Sequence, residues 1–145
     1  MSGMNRQTPQ ALVFPISSVA ANAETEKCLV ELRNSIEIVA ARFTPDTAIV
    51  TDTDSGFVFA ILNEGTAGTL GRTVASYLGN TIAATLAATQ SVELGLGTAT
   101  WTDSHTATRR ATEIEAGEVL SWKEGTVGTG TARSNGFLTI EYVIL

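Results

Sequence analysis

The stretch Phe137-Leu-Thr-Ile-Glu-Tyr-Val-Ile-Leu145 decides the fold. Side chains of an extended chain alternate between two faces with a period of two. Leu138, Ile140, Tyr142 and Ile144 therefore share one apolar face, and Phe137, Thr139, Glu141, Val143 and Leu145 share a mixed one. A segment this apolar is expected inside a sheet or at a subunit contact, because such an end would not fray freely into water. Immediately upstream, Val119-Leu-Ser-Trp-Lys123 reads as another strand. The run Glu124-Gly125-Thr-Val-Gly128-Thr-Gly130-Thr131 reads as the glycine-permissive turn between the two.

The same period returns further out. Cys28, Val30 and Leu32 alternate, Ile36 to Phe43 continues beyond a turn at Asn34-Ser35, and Val92, Leu94 and Leu96 alternate after Ser91. Phe57-Val-Phe-Ala-Ile-Leu62 is apolar on both faces, as expected of a central strand covered on each side. Ala11-Leu-Val-Phe-Pro-Ile16 carries a proline, which cannot donate to a ladder, so it is an edge strand or an arm lying on another surface. Leu70 to Thr89 divides the signals. Leu70, Val74, Tyr77, Leu78, Ile82 and Leu86 follow helical spacing among good helix formers, whereas Gly71, Gly79 and the threonines favour extended chain. Short helices are the expectation there, with two further strands as the alternative. The fold expected is mainly β: an antiparallel β-sandwich, jelly-roll-like, with possible short helices at about 70–89. Residues 1–16 are expected as an N-terminal arm and 17–145 as a single sandwich domain.

Composition narrows the function classes. A chain of 145 residues buries roughly 70% of its unfolded surface around one core. The net charge of -6 argues against nucleic acid, whose affinity rests on clustered Lys and Arg. The one basic pair, Arg109-Arg110, is followed by Glu113 and Glu115 and reads as a solvated loop. Cys28 is the only cysteine, so no intrachain disulfide forms; it is expected as a small buried hydrophobe in a chain matured in a reducing cytosol. The polar start shows no signal peptide, and no run approaches the roughly 20 apolar residues that span a bilayer, so no membrane partner is expected.

Each chemistry-bearing pattern has a plainer explanation. Asp52-Thr-Asp54-Ser-Gly56 starts like a calcium loop, but Asn63 stands where the bidentate Glu is required, which leaves an Asx turn. Asp103-Ser104-His105 holds the residue types of a hydrolase triad, yet adjacent residues on an extended chain point in opposite directions. His105 is the sole histidine, too few for a cupin metal site. The glycines at 125, 128 and 130 lack the Lys-Ser/Thr and helix of a phosphate loop. Glu113, Glu115, Glu118 and Glu124 cluster like paired carboxylates for glycoside chemistry, but Glu113 and Glu115 flank Ile114 in the ordinary pattern of a half-exposed strand edge. Trp122 is expected in the core; Trp101, in a Thr-rich excursion, is expected to be buried as well, with an exposed contact for a partner or a sugar as the alternative. No catalytic residue, cofactor or metal ligand is expected.

Residues Ala111 to Leu145, ATEIEAGEVLSWKEGTVGTGTARSNGFLTIEYVIL, resemble the small β-rich decoration (cement) proteins of tailed-bacteriophage heads. A turn carrying Ala-Gly, a strand, a Gly/Thr loop and an apolar last strand recur in that family, beside an apolar arm and a Thr/Ala/Gly-rich body. The resemblance implies a non-enzymatic virion protein on the capsid surface, assembled in the host cytoplasm. Its partner would be the major capsid protein, and it would act as a homo-oligomer, a trimer. On that expectation Leu12, Val13, Phe14 and Ile16 form the capsid-contact arm, and Val143 and Leu145 lie between subunits. Two other classes remain open. One is a jelly-roll tail or receptor-binding domain that recognises a host saccharide through Trp101 and Tyr77. The other is a small hydrolase or isomerase using two of Glu113, Glu115, Glu118 and Glu141 in an exposed cleft.

Overall fold

A computed structural model describes residues 8–52, 54–81, 84–102 and 108–145. The alternating segments become strands that pair antiparallel in two facing sheets. The first sheet contains β1 (Gln10–Ile16), β12 (Gly136–Ile144) and β3 (Ile36–Pro45) in that order. The free side of β3 is shared by β10 (Glu113–Ile114), beside Ile36 and Glu37, and β6 (Val92–Glu93), beside Arg42 and Phe43. The second sheet runs β2 (Thr25–Glu31), β11 (Val119–Gly128), β4 (Ser55–Asn63), β5 (Arg72–Gly79) and β7 (Gly95–Leu96). β8 (Thr100–Thr102) and β9 (Thr108–Arg110) pair as a separate two-stranded ribbon. The orders 1-12-3-6 and 2-11-4-5 place successive strands on opposite sheets everywhere except at the β4–β5 hairpin. That is the jelly-roll topology of two interlocked Greek keys.

Phe137–Leu145 behaves as its period requires. Leu138 and Ile140 are fully buried, and Phe137 on the other face is 51% exposed. β12 is central because it pairs β1 on one side and β3 on the other. β4 is likewise central, between β11 and β5, and points Phe57, Phe59 and Ile61 into the core. An aromatic cluster joins the sheets. Phe43 of the first sheet lies 4.7 Å from Phe59 and 5.8 Å from Trp122 of the second, and Phe57 lies 4.6 Å from Phe59.

The expectation of helix within 70–89 is overturned for Arg72–Gly79, which is strand β5. The helical spacing of Val74, Tyr77 and Leu78 is overridden by tertiary pairing. β4 needs a backbone partner on its second side, and β5 supplies it from Arg72 against Asn63 to Gly79 against Phe57. Gly79 is not a helix terminus. A Cβ there would come within 2.6 Å of the Phe57 ring, so only glycine lets that ring lie flat against the strand. Further on, Leu86 makes an isolated antiparallel bridge to Ile49, while Ile82 and Ala83 fall outside the described residues.

Cys28 is exposed, contrary to the buried position expected. A bulge explains it. Leu120 pairs Val30 and the next residue, Ser121, pairs Cys28, so Leu29 is an extra residue in β2. An extra residue breaks the period of two and turns Cys28 to the opposite face from Val30. The segment expected as an arm is described from residue 8 onward, and its residues 10–16 form β1 with seven consecutive partners in β12.

One buried ion pair fastens the loops at an end of the sandwich. Glu124 and Arg133 are both fully buried, 3.6 Å apart. Trp122 donates its indole N–H to Glu124 over 3.1 Å, and Arg133 donates to the carbonyls of Thr131 and Ala23. Burial raises the Glu124 carboxyl above its ordinary value despite the indole and the guanidinium beside it. Phe59→Ala should cost about 3–5 kcal/mol, since it opens a cavity at the centre of the aromatic cluster. Urea denaturation checks this as a lowered midpoint with an unchanged slope.

Candidate functional site

Sheet edges expose backbone donors and acceptors, and natural proteins guard them with charge or keep them short. β2 carries Glu26, Lys27 and Glu31, while β6, β7 and β10 are two residues each. β1 is different. It is a seven-residue edge, Gln-Ala-Leu-Val-Phe-Pro-Ile, without a single charge. Of the residues expected to make a contact arm, Ile16 is buried, Phe14 is half-buried against the core, Leu12 is half-buried, and Val13 faces outward at 58% exposure. Pro15 pairs Phe137 and Val13 pairs Thr139, so Val13, Pro15 and Phe137 form an exposed apolar patch beside the open edge. Lys27 reaches across from β2 and donates to the Pro15 carbonyl over 3.1 Å. In an antiparallel pair alternate residues point their N–H and C=O groups away from the partner. The Lys27 contact identifies Pro15 as one of these, so among the described residues Val13 and Ala11 present the remaining unpaired groups. Further across the face, Arg42 bonds Glu141 at 3.2 Å and Glu93 at 3.5 Å, giving the patch a charged rim. Val143 is half-buried; Leu145 is 63% exposed, with its N–H bonded to the Ser35 carbonyl at 2.9 Å.

A second feature is a cleft of about 610 Å³ where the β4–β5 turn meets the β8–β9 ribbon. Trp101 is half-buried in its wall with two guanidinium groups over its ring, Arg72 at 4.1 Å and Arg109 at 5.5 Å. The Arg109-Arg110 pair, expected as a solvated loop, splits between two environments. Arg110 lies at the surface with Glu37 and Glu113, but Arg109 is buried. It ion-pairs with buried Glu118, donates to the Glu113 carbonyl over 2.9 Å, and stands 3.6 Å from Glu115. Alternation within β9 turns Arg109 inward, and the sequence carried no period over those three residues to show it. Burial opposes ionisation of Glu118. Hydrogen bonds from Arg109 and the Glu115 N–H outweigh it and hold the carboxyl below its ordinary value.

Across the cleft Glu64 accepts from Ser121 Oγ at 2.7 Å and from the Gly71 N–H at 3.2 Å. Burial works against its charge too, but these donors and its hydrogen bond with Glu26 leave its pKa lowered; Glu26 is raised by the same contact. The structure thus brings Glu115 and Glu118 to one cleft and leaves Glu113 and Glu141 elsewhere. Glycoside chemistry needs one carboxylic acid held neutral. Here the Glu118 and Glu64 carboxyls lie below their ordinary value, Glu26 beside Glu64 lies above its own, and Glu115 and Glu118 share one guanidinium. Tyr77 does not join Trp101; it packs against the core with its ring 5.8 Å from Phe57. Asp52 accepts from the N–H groups of Asp54 and Ser55, an Asx turn with no ion required. Asp103, Ser104 and His105 fall outside the described residues. Among the described residues no three His, Cys, Asp or Glu side chains are grouped to hold a metal ion. Arg72 and Glu64 are residues of this cleft that the sequence did not suggest, because one lies in a segment read as helix and the other in the turn after Leu62.

No protein-family model, curated protein or solved structure matches the chain.

Arg109→Ala should destabilise the fold by about 3–5 kcal/mol, because it leaves Glu118 as a buried unpaired charge. Glu118 contributes stability above the unfolded value of 4.5, and that stability is lost as pH falls through its depressed folded pKa. Glu118→Gln should therefore flatten the fall of the unfolding midpoint below pH 4.5, measured by urea titration at a series of pH values.

Proposed function

We propose that this chain is a decoration protein of a tailed-bacteriophage head. It is a non-enzymatic virion component that binds the outer surface of the assembled capsid as an oligomer, a trimer, and braces it. The observation that supports this reading best is the chargeless β1 edge with Val13, Pro15 and Phe137 exposed beside it. Such an edge left bare invites indiscriminate strand pairing, so a partner that covers it removes the hazard. A strand or loop of the major capsid protein laid along β1 would take up the unpaired groups of Ala11 and Val13 as an added strand. Val13 and Phe137, about half exposed, would then bury the remaining area, each worth about 1–1.5 kcal/mol when covered.

A single edge of this length binds modestly. Three in one oligomer engage neighbouring capsid subunits together, and linkage multiplies the affinity without any new kind of contact. Leu145 and Val143, at the opposite end of β12 from Phe137, serve the subunit contact in this arrangement. The apolar character of the patch makes its burial little dependent on salt, which acts on charges.

Because β1 is integral to the first sheet, a point charge tests the proposal more cleanly than removal of the segment. Val13→Lys should weaken co-sedimentation with empty phage capsids at least about tenfold, equal to about 1.4 kcal/mol, while light scattering still reports a trimer. Capsid binding equal to that of the unaltered chain would overturn the assignment of this edge. A monomeric chain that ignores capsids would overturn the function itself.

A further inference from the structure

We propose that the Trp101 cleft is a second binding site, separate from the β1 edge, and that its ligand is a neutral polyhydroxyl compound, a saccharide. Charge argues for neutrality. Two arginines and three glutamates line the cleft: Arg72, Arg109, Glu64, Glu115 and Glu118. A phosphate would face three carboxylates. The lining sums to one net negative charge, which opposes an anion, while a cation would meet the Arg72 guanidinium over the Trp101 ring.

Hydrogen-bond inventory argues for hydroxyl groups. Arg109 is committed to Glu118 and to the Glu113 carbonyl. Arg72 is not committed: among the described residues it has no carboxylate within ion-pair distance, and its guanidinium rests on the indole of Trp101. A guanidinium over an aromatic face keeps its five N–H donors at the rim, fixed in direction. Glu64 and Glu115 supply fixed acceptors, each with lone pairs left after its protein bonds. A wall of fixed donors beside fixed acceptors suits a ligand whose every group both donates and accepts. Sugar hydroxyls do that. Leu70, 39% exposed, and the indole edge offer apolar surface for the C–H faces of a sugar ring. The volume of about 610 Å³ lies within the roughly 300–1,000 Å³ typical of small-molecule sites.

The test uses the full chain and a two-dimensional NMR spectrum in which the indole N–H groups of Trp101 and Trp122 report separately. A glycan array selects candidates. A panel of neutral malto-, cello- and chito-oligosaccharides and their monosaccharides is then titrated, with sodium phosphate and choline as charged controls. The expected result is saturable movement of the Trp101 signal by at least one neutral sugar, with Trp122 unmoved. Arg72→Gln should weaken that binding about tenfold or more, and Arg72→Lys, which keeps the charge but loses the planar fork, should weaken it too. An unmoved Trp122 signal in both variants shows that the core is intact. Response to an oligosaccharide alone identifies a glycan polymer as the source, and response to its monosaccharide as well identifies a free sugar; both support the proposal. A cleft that answers to phosphate or choline and to no sugar, or to nothing on the array or in the panel, overturns it. Capsid co-sedimentation of Arg72→Gln should match that of the unaltered chain, which separates this site from the β1 edge.

Discussion

The two sheets are held face to face by one aromatic cluster, and much of the chain is arranged around its geometry. Phe43 crosses from the first sheet into a set of rings contributed by the second, Phe57, Phe59 and Trp122. Each such pair adds about 0.5–1.5 kcal/mol beyond the area it buries. The cluster also dictates residues that do not belong to it. Gly79 leaves space for Phe57, and Gly136 begins β12 where a Cβ would sit 2.8 Å from the Phe43 ring. At Gly79 the ring alone excludes a side chain, whereas at Gly136 the Thr44 carbonyl oxygen is the nearer obstacle and the Phe43 ring stands behind it.

Two buried ion pairs do a different job. Taking charges out of water costs several kcal/mol per ion, so Glu124–Arg133 and Glu118–Arg109 are weak sources of net stability. What they provide is position. Arg133 ties the loop before β12 to the loop after β1 through the carbonyls of Thr131 and Ala23. Arg109 ties the β8–β9 ribbon to β11's approach and so fixes one wall of the Trp101 cleft. The binding cleft proposed above rests on this second pair as much as on its own lining.

Most of the sandwich was legible from period two alone. The last strand, the doubly apolar Phe57–Leu62 and the buried Trp122 all lie where alternation puts them. The failures share a cause, which is pairing with distant chain. Leu29 is an extra residue only because β11 passes beside it, and that register turns Cys28 outward. Val74, Tyr77 and Leu78 satisfy a helical spacing as well as they satisfy a strand, and β4 decides between them. The edge character of β1 was visible through Pro15. Its freedom from charge became informative only when the other edges could be compared with it. The cleft was least legible: Trp101 was visible as an aromatic in a polar stretch, but Arg72 lies in β5 and Glu64 just beyond β4, and no local pattern joins them.

The pairing of β1 with β12 sets the order in which this molecule can be completed. Gln10 meets Tyr142, and Ile16 meets Gly136. During synthesis β1 leaves the ribosome long before β12, its one sheet neighbour among the described residues, exists. Closing so long a loop carries an entropic cost that grows slowly with length, but non-local pairing of this kind slows folding. Until β12 arrives, the chargeless strand has no partner on either side and is open to pairing with other nascent chains. The edge proposed as an attachment surface is thus also the segment most exposed to misassociation at birth. The chain's yield would respond to its rate of translation and to the chaperones around it.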